Sequence, residues 1–186
     1  MKQSVPDATV SGSTACVLLV QGHKLITANA GNSRAILVDR NRKVRELTED
    51  HTPEVPAERR RIEQAGGRVA MKRTNFKKEA SLHVQLSNKE KTVMGVTRSL
   101  GDFTARKIGV TSDPEIKHHN LEEDDQILIL ASDGIWEHMT VQNVAQIAQA
   151  HYEMGQAEAA ANAIVRRATQ LWKDVSLIGI QNRLIS

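Results

Sequence analysis

Apolar positions come in short blocks along the first third of the chain. Residues 15–20 form an apolar run too short for an ordinary helix, Gly22 and His23 offer a turn, and residues 24–30 resume the run. A second turn at Gly31-Asn32 leads into residues 33–38, the polar stretch Asp39-Arg40-Asn41-Arg42 follows, and residues 44–47 carry another short strand pattern. Strands of this length, separated by turn residues, predict an antiparallel meander. Residues 126–131 are the clearest buried-strand pattern in the chain, broken by Asp133-Gly134.

Elsewhere the period is helical. Residues 57–65 surround Ile62 with charge, Pro56 suits a first helical turn and Gly66-Gly67 a helix end. Residues 141–154 place Val141, Val144, Ile147 and Ala148 on one face, with Thr140 as the cap. After Gly155, residues 157–172 repeat the pattern with Ala160, Ile164, Ala168 and Trp172. Between the first helix and the later blocks, residues 68–95 show no clear period and read as a flap-like excursion. Strands followed by paired helices predict an α+β layered domain, one unit over residues 1–186, with no internal repeat.

Composition narrows the class. Aromatics are 3% of the 186 residues, so the core is aliphatic, and the single cysteine, Cys16, excludes a disulfide scaffold. Cys16 lies in an apolar run and reads as a small core residue. No apolar run reaches the roughly 20 residues of a membrane span, and the first residues lack a signal-peptide core. These features predict an intracellular protein, cytoplasmic or nuclear. The formal net charge is +3, and the excess is local: residues 72–91 hold six basic side chains and two acids. Such a run suits a solvated loop better than a nucleic-acid surface, because no aromatic platform accompanies it.

The chemical signal is Asp133, set where a buried strand meets a glycine turn, with Glu137 four residues on. Two carboxylates on one helical face can hold a hard cation such as Mg²⁺ or Mn²⁺. The alternative is structural, with Asp133 capping the next element and Glu137 complementing a helix dipole. His118-His119 would be separated by alternating sheet faces, and Glu122-Glu123-Asp124-Asp125 lacks calcium-loop spacing and reads as a solvated turn.

Several blocks in order carry a resemblance. Ser11-Gly12-Ser13-Thr14-Ala15, Ala28-Asn29-Ala30-Gly31-Asn32-Ser33-Arg34-Ala35, and Leu47-Thr48-Glu49-Asp50-His51-Thr52-Pro53 come first. Glu58, Arg61-Ile62, Gly66-Gly67, Val96-Thr97-Arg98-Ser99-Leu100-Gly101-Asp102, Asp113-Pro114-Glu115 and Ile129-Leu130-Ala131-Ser132-Asp133-Gly134-Ile135-Trp136 complete the series. The chain resembles the metal-dependent protein serine/threonine phosphatases, the PPM or type 2C family, from about Ser11 to Trp172. The resemblance implies a β-sandwich of two antiparallel sheets flanked by helices, and hydrolysis of phosphoserine and phosphothreonine. It also implies Mg or Mn at a binuclear centre whose bound water attacks phosphorus. By the same match Asp133 would be a metal ligand, His51 would position a loop, and Arg34 and Arg98 would pair buried polar groups.

Departures from the family pattern qualify this. The family's Asp-Gly-His-Gly-Gly block, expected before Ser11, and its late Asp-Asn turn have no counterpart, and residues 175–186 match no family block. Asn32 stands where the family usually has aspartate, and Glu137 where it has a second aspartate. Asp133, Glu137 and Asn32 are therefore the candidate metal residues, with no catalytic residue assigned. The reading is an incomplete phosphatase domain, inactive or impaired as this chain alone, with a phosphoprotein substrate or a regulatory protein as partner. Self-association through exposed sheet edges is also expected. The alternatives are a catalytically dead interaction or regulatory module and, last, a basic nucleic-acid-binding domain.

Overall fold

A computed structural model describes residues 8–72, 81–85 and 93–184. The chain runs through β1 (Gly12–Ser13), β2 (Ala15–Gln21), β3 (Lys24–Ala30), β4 (Arg34–Asp39) and β5 (Val44–Glu46) to helix α1 (Pro56–Gln64). Then come β6 (Arg68–Lys72), β7 (Ser81–Gln85), β8 (Val93–Met94), β9 (Leu100–Gly101) and the single turn α2 (Phe103–Arg106). β10 (Glu115–Asn120), β11 (Asp125–Ala131), α3 (Asp133–Trp136), α4 (Val141–Tyr152) and α5 (Ala157–Leu184) follow.

Two three-stranded antiparallel sheets, ordered β10-β3-β2 and β11-β4-β5, form the body of the fold. Period-two alternation decides which side chains meet between them. β3 turns Leu25 inward and β4 turns Ala35 and Leu37 inward; these pack with Leu47, and Cys16, Leu18 and Leu128 join them. The opposite face of β4 presents Ile36 and Val38 to α4 and α5, where Val144, Ala148, Ile164 and Ala168 complete a second core. Thr140 caps α4 as its position predicts, its side chain accepting from the Asn143 N–H at 3.2 Å. The architecture is α+β, antiparallel sheets with flanking helices.

Of the two main sheets, helix α4 packs on the one ordered β11-β4-β5. Among the described residues the outer face of the β2–β3–β10 sheet leaves Val17 59%, Leu19 56% and Ile116 57% exposed. Cys16 is half-buried rather than fully enclosed, because β2 lies at the sheet's edge.

Two sequence expectations change. Residues 68–95, expected to be irregular, hold a separate sheet ordered β6-β7-β8. Its pairs Val69–Val84 and Met71–Leu82 alternate with polar residues over spans too short for the period to stand out. Val69, Val84 and Met94 pack with Ile62 of α1 and with Ala105, Ile108 and Val110. Most of the basic run at 72–91 lies outside the described residues. The acidic turn before β11 is also ion-paired rather than merely solvated. Arg40 meets Asp124 at 2.7 Å, and Arg45 reaches Glu122 at 3.0 Å and the nearly buried Asp125 at 2.7 Å. His118 and His119 do separate across the sheet: His118 is exposed, and the His119 Nε2 lies 3.2 Å from the Leu47 carbonyl.

Leu37, 2% exposed, sits between the sheets. Leu37→Ala is expected to lower unfolding free energy by about 2–5 kcal/mol, read from urea denaturation.

Candidate functional site

The site forms where the chain crosses from one sheet to the other. β3 ends at Ala30 in the first sheet and β4 begins at Arg34 in the second. Gly31 takes φ 120°, and a side chain there would run into Thr14. Only glycine suits that combination. Three hydrogen bonds hold the crossing. The Gly31 N–H donates to His51 Nδ1 at 3.2 Å, the His51 N–H returns to the Gly31 carbonyl at 2.9 Å, and Asn29 Nδ2 donates to the same carbonyl at 3.2 Å.

His51 passes this order on. Its carbonyl accepts from the Thr97 N–H at 2.9 Å, and the Thr97 hydroxyl donates to Glu58 at 2.6 Å. Glu58, 3% exposed, also accepts from Arg61 at 2.7 and 2.8 Å and from Arg98 at 2.7 Å. Burial alone would raise the Glu58 pKa; hydrogen bonds from Arg61, Arg98 and Thr97 overcome it and hold the carboxyl well below the usual carboxylate range. The two guanidinium partners offset the desolvation of a buried carboxylate, and removing one side leaves an uncompensated buried charge.

On the second sheet, Arg34 grips Asp50 with two hydrogen bonds at 3.0 and 3.1 Å. Its guanidinium also pairs with Glu46 at 3.2 Å and lies 5.7 Å from the Trp136 ring centroid. The turn after β11 is fixed by two indoles: Trp136 donates to the Ala131 carbonyl and Trp172 to the Gly134 carbonyl, each at 2.8 Å. These ties place Asp133 at the start of α3, opposite the sheet crossing. Asn32 Nδ2 donates to Asp133 Oδ2 at 3.1 Å, across 101 residues of sequence. Of the three candidate residues, the structure brings Asn32 and Asp133 together. Glu137 lies one helical turn on, its N–H bonded to the Asp133 carbonyl at 2.8 Å.

This donor set does not fit a pair of divalent ions. Asn32 presents an N–H where a cation requires an oxygen, and its amide would have to rotate to offer Oδ1. Asp133 is exposed, and among the described residues no group of three or more His, Cys, Asp or Glu side chains could hold a metal. Arg34 and Arg98 are engaged with acids, as the structural reading of both predicts.

The sequence profile of Protein phosphatase 2C matches residues 1–171. The chain belongs to the protein phosphatase 2C family. It is 36% identical over 172 residues to the probable protein phosphatase 2C 72 of Arabidopsis thaliana, covering 90% of this chain and 50% of that protein. It is 32% identical over 174 residues to probable protein phosphatase 2C 61 of the same plant, covering 91% of this chain and 52% of that protein. The chain thus spans about half the length of these relatives. In fold it is similar to a serine-threonine phosphatase 2C from Toxoplasma gondii, with a TM-score of 0.73 at 20% identity over 87% of this chain and 54% of that one. A C. elegans sex determining protein gives a TM-score of 0.72 at 25% identity, over 86% of this chain and 37% of that one.

Within this phosphatase 2C fold, sequence reasoning passed over Asn29. It is fully buried between the sheets and donates to the Glu49 carbonyl at 2.9 Å as well as to Gly31. The signal was available: β3 turns Leu25, Thr27 and Asn29 to one side, and a polar residue on an inward face needs partners.

Two pH effects follow. Burial lowers the His51 pKa, the Arg98 charge adds to this, and Glu58 and Glu115 oppose it. A histidine whose folded pKa is depressed binds protons first in the unfolded chain, so stability is full above about pH 6.5 and falls as pH drops below it. Burial depresses His119 likewise. Glu58 contributes stability above the ordinary carboxylate value of about 4.3 and loses it as pH falls farther. Chemical denaturation across pH is expected to show His51→Asn flattening the decline just below pH 6.5, with His119 retaining part of it. Glu58→Gln is expected to remove slope below about pH 4 and to cost about 3–5 kcal/mol at neutral pH.

Proposed function

We propose that this chain is a protein serine/threonine phosphatase-like domain that engages a phosphoprotein or a regulatory protein, and that it is inactive or impaired in hydrolysis by itself. The observation that carries this reading is the Asn32–Asp133 contact, in which a neutral amide donates to the carboxylate that the family resemblance would make a metal ligand. Mg- or Mn-dependent hydrolysis then depends on further carboxylates brought to Asp133 from beyond the residues described. A catalytically dead interaction or regulatory module is the second reading, favoured by the same contact. A nucleic-acid role has no support from the described residues. Among these, no helix is long and apolar enough to cross a membrane. We propose an intracellular location, cytoplasmic or nuclear, with which a single cysteine is compatible.

Manganese-dependent turnover of a phosphothreonine peptide tests the reading. The purified chain should give little or none, and robust turnover eliminated by Asp133→Ala would overturn it. Calorimetric titration with Mn²⁺ should detect at most one weak event, from Asp133 and Glu137 with a rotated Asn32 amide, lost in Asp133→Asn. Two tight events would contradict that assignment.

A further inference from the structure

The sheet crossing leaves two buried polar atoms to be accounted for. Asn29 is fully buried, and its Nδ2 donates to the carbonyls of Gly31 at 3.2 Å and Glu49 at 2.9 Å. Both partners are carbonyl oxygens, which fixes the nitrogen end of the amide and leaves Oδ1 as an acceptor at the other. His51, 3% exposed, takes the Gly31 N–H through Nδ1 at 3.2 Å, so its neutral ring carries a proton on Nε2. Among the described residues neither Asn29 Oδ1 nor His51 Nε2 makes a hydrogen bond. A buried donor or acceptor left in that condition bears its whole desolvation cost, so native structures rarely keep one without a partner.

A third group joins them. Glu115 is the direct cross-strand neighbour of Asn29 in the β3–β10 ladder, and residues paired in this way turn their side chains to the same face. Its Oε2 is buried without a hydrogen bond. Lys117 Nζ stands 3.3 Å from that oxygen as an ion pair and approaches Glu49 more closely, at 2.7 Å. Burial lowers the His51 pKa and the Glu115 charge acts against it, which puts this carboxylate within electrostatic reach of the ring. Asn29 meanwhile is tied to Gly31, which holds the His51 ring, and to Glu49, two residues before that histidine. All three atoms are already covered, so polypeptide added on the outside does not reach them.

We propose that His51 Nε2, Asn29 Oδ1 and Glu115 Oε2 bind one internal water, which fastens the β3–β10 pair to the loop that carries His51. The chemistry of the three atoms selects this guest. One donates and two accept, so the guest has to accept one hydrogen bond and donate two. A metal cation or an ammonium ion cannot accept from the Nε2–H, and an anion is repelled by two acceptors, one of them a carboxylate. Water meets all three requirements and fits a site closed to solvent, where buried waters typically make about three such bonds. The site is separate from the phosphatase chemistry, and its failure leaves the proposed function standing.

A crystal structure of the full chain, at a resolution that orders internal water, and NMR in solution test it together. The density should hold one compact peak about 2.7–3.2 Å from His51 Nε2, Asn29 Oδ1 and Glu115 Oε2. In solution the carbon-bound Hε1 of His51 does not exchange. It should give a cross-peak at the water frequency that changes sign between laboratory-frame and rotating-frame spectra, the mark of a long-held water. The Glu115 side chain is 28% exposed, which makes it the position to vary. Glu115→Gln should keep the cross-peak, because its amide still offers an oxygen, and Glu115→Leu should lower it about two-fold or more. Glu115→Met serves if Glu115→Leu fails to fold by far-UV circular dichroism. A dry site without a cross-peak, a direct His51–Asn29 hydrogen bond, a His51 proton on Nδ1, or a cross-peak indifferent to the apolar variants would overturn the inference.

Discussion

A reciprocal pair of hydrogen bonds between Gly31 and His51 is the constraint on which the rest of the site depends. A sandwich needs the chain to leave one sheet and enter the next, and the backbone groups at that crossing lose their ladder partners. Here the Gly31 N–H finds the His51 ring and the Gly31 carbonyl takes the His51 N–H. Accepting through Nδ1 leaves the proton of a neutral ring on Nε2. The same histidine links the crossing through Thr97 to the buried Glu58, so α1 and the segment before β9 are fastened to the turn that carries Asn32.

Much of this order was legible in the residues. The apolar runs at 15–20, 24–30, 33–38 and 126–131 correspond to β2, β3, β4 and β11 within a residue or so, because each is either buried on both faces or set between clear turn residues. The two long helices follow from their apolar faces and from Gly155, which stands at φ 63° between them, although α5 runs on to Leu184, past residue 172 where its pattern ends. What escaped is short or polar. β6 to β8 form a sheet whose apolar positions are too few to show a period, and α3 is a 4-residue turn fixed by two tryptophan side chains rather than by its own pattern. The ion pairs of the acidic turn depend on arginines about 80 residues away, which spacing along the chain does not reveal.

The candidate site divides in the same way. Asp133 was legible from a strand-to-turn position, and the order of the motif blocks pointed to its family. Its contact with Asn32 was not, since it depends on how the two sheets dock. In the reading proposed above that contact weakens metal binding: an aspartate in place of Asn32 would add negative charge and oxygen donors, whereas the amide hydrogen-bonds to the carboxylate. Membership of the phosphatase 2C family therefore establishes the scaffold, while activity depends on the groups assembled on it.

The most direct test is a crystal structure of this chain grown with excess Mn²⁺, with anomalous difference maps recorded at the manganese edge. The account predicts at most one weak peak, beside Asp133, with the Asn32 amide either still donating to the carboxylate or turned to offer its oxygen. Two strong peaks bridged by Asp133 would contradict it, because they would show that this chain assembles a binuclear centre from donors other than those described.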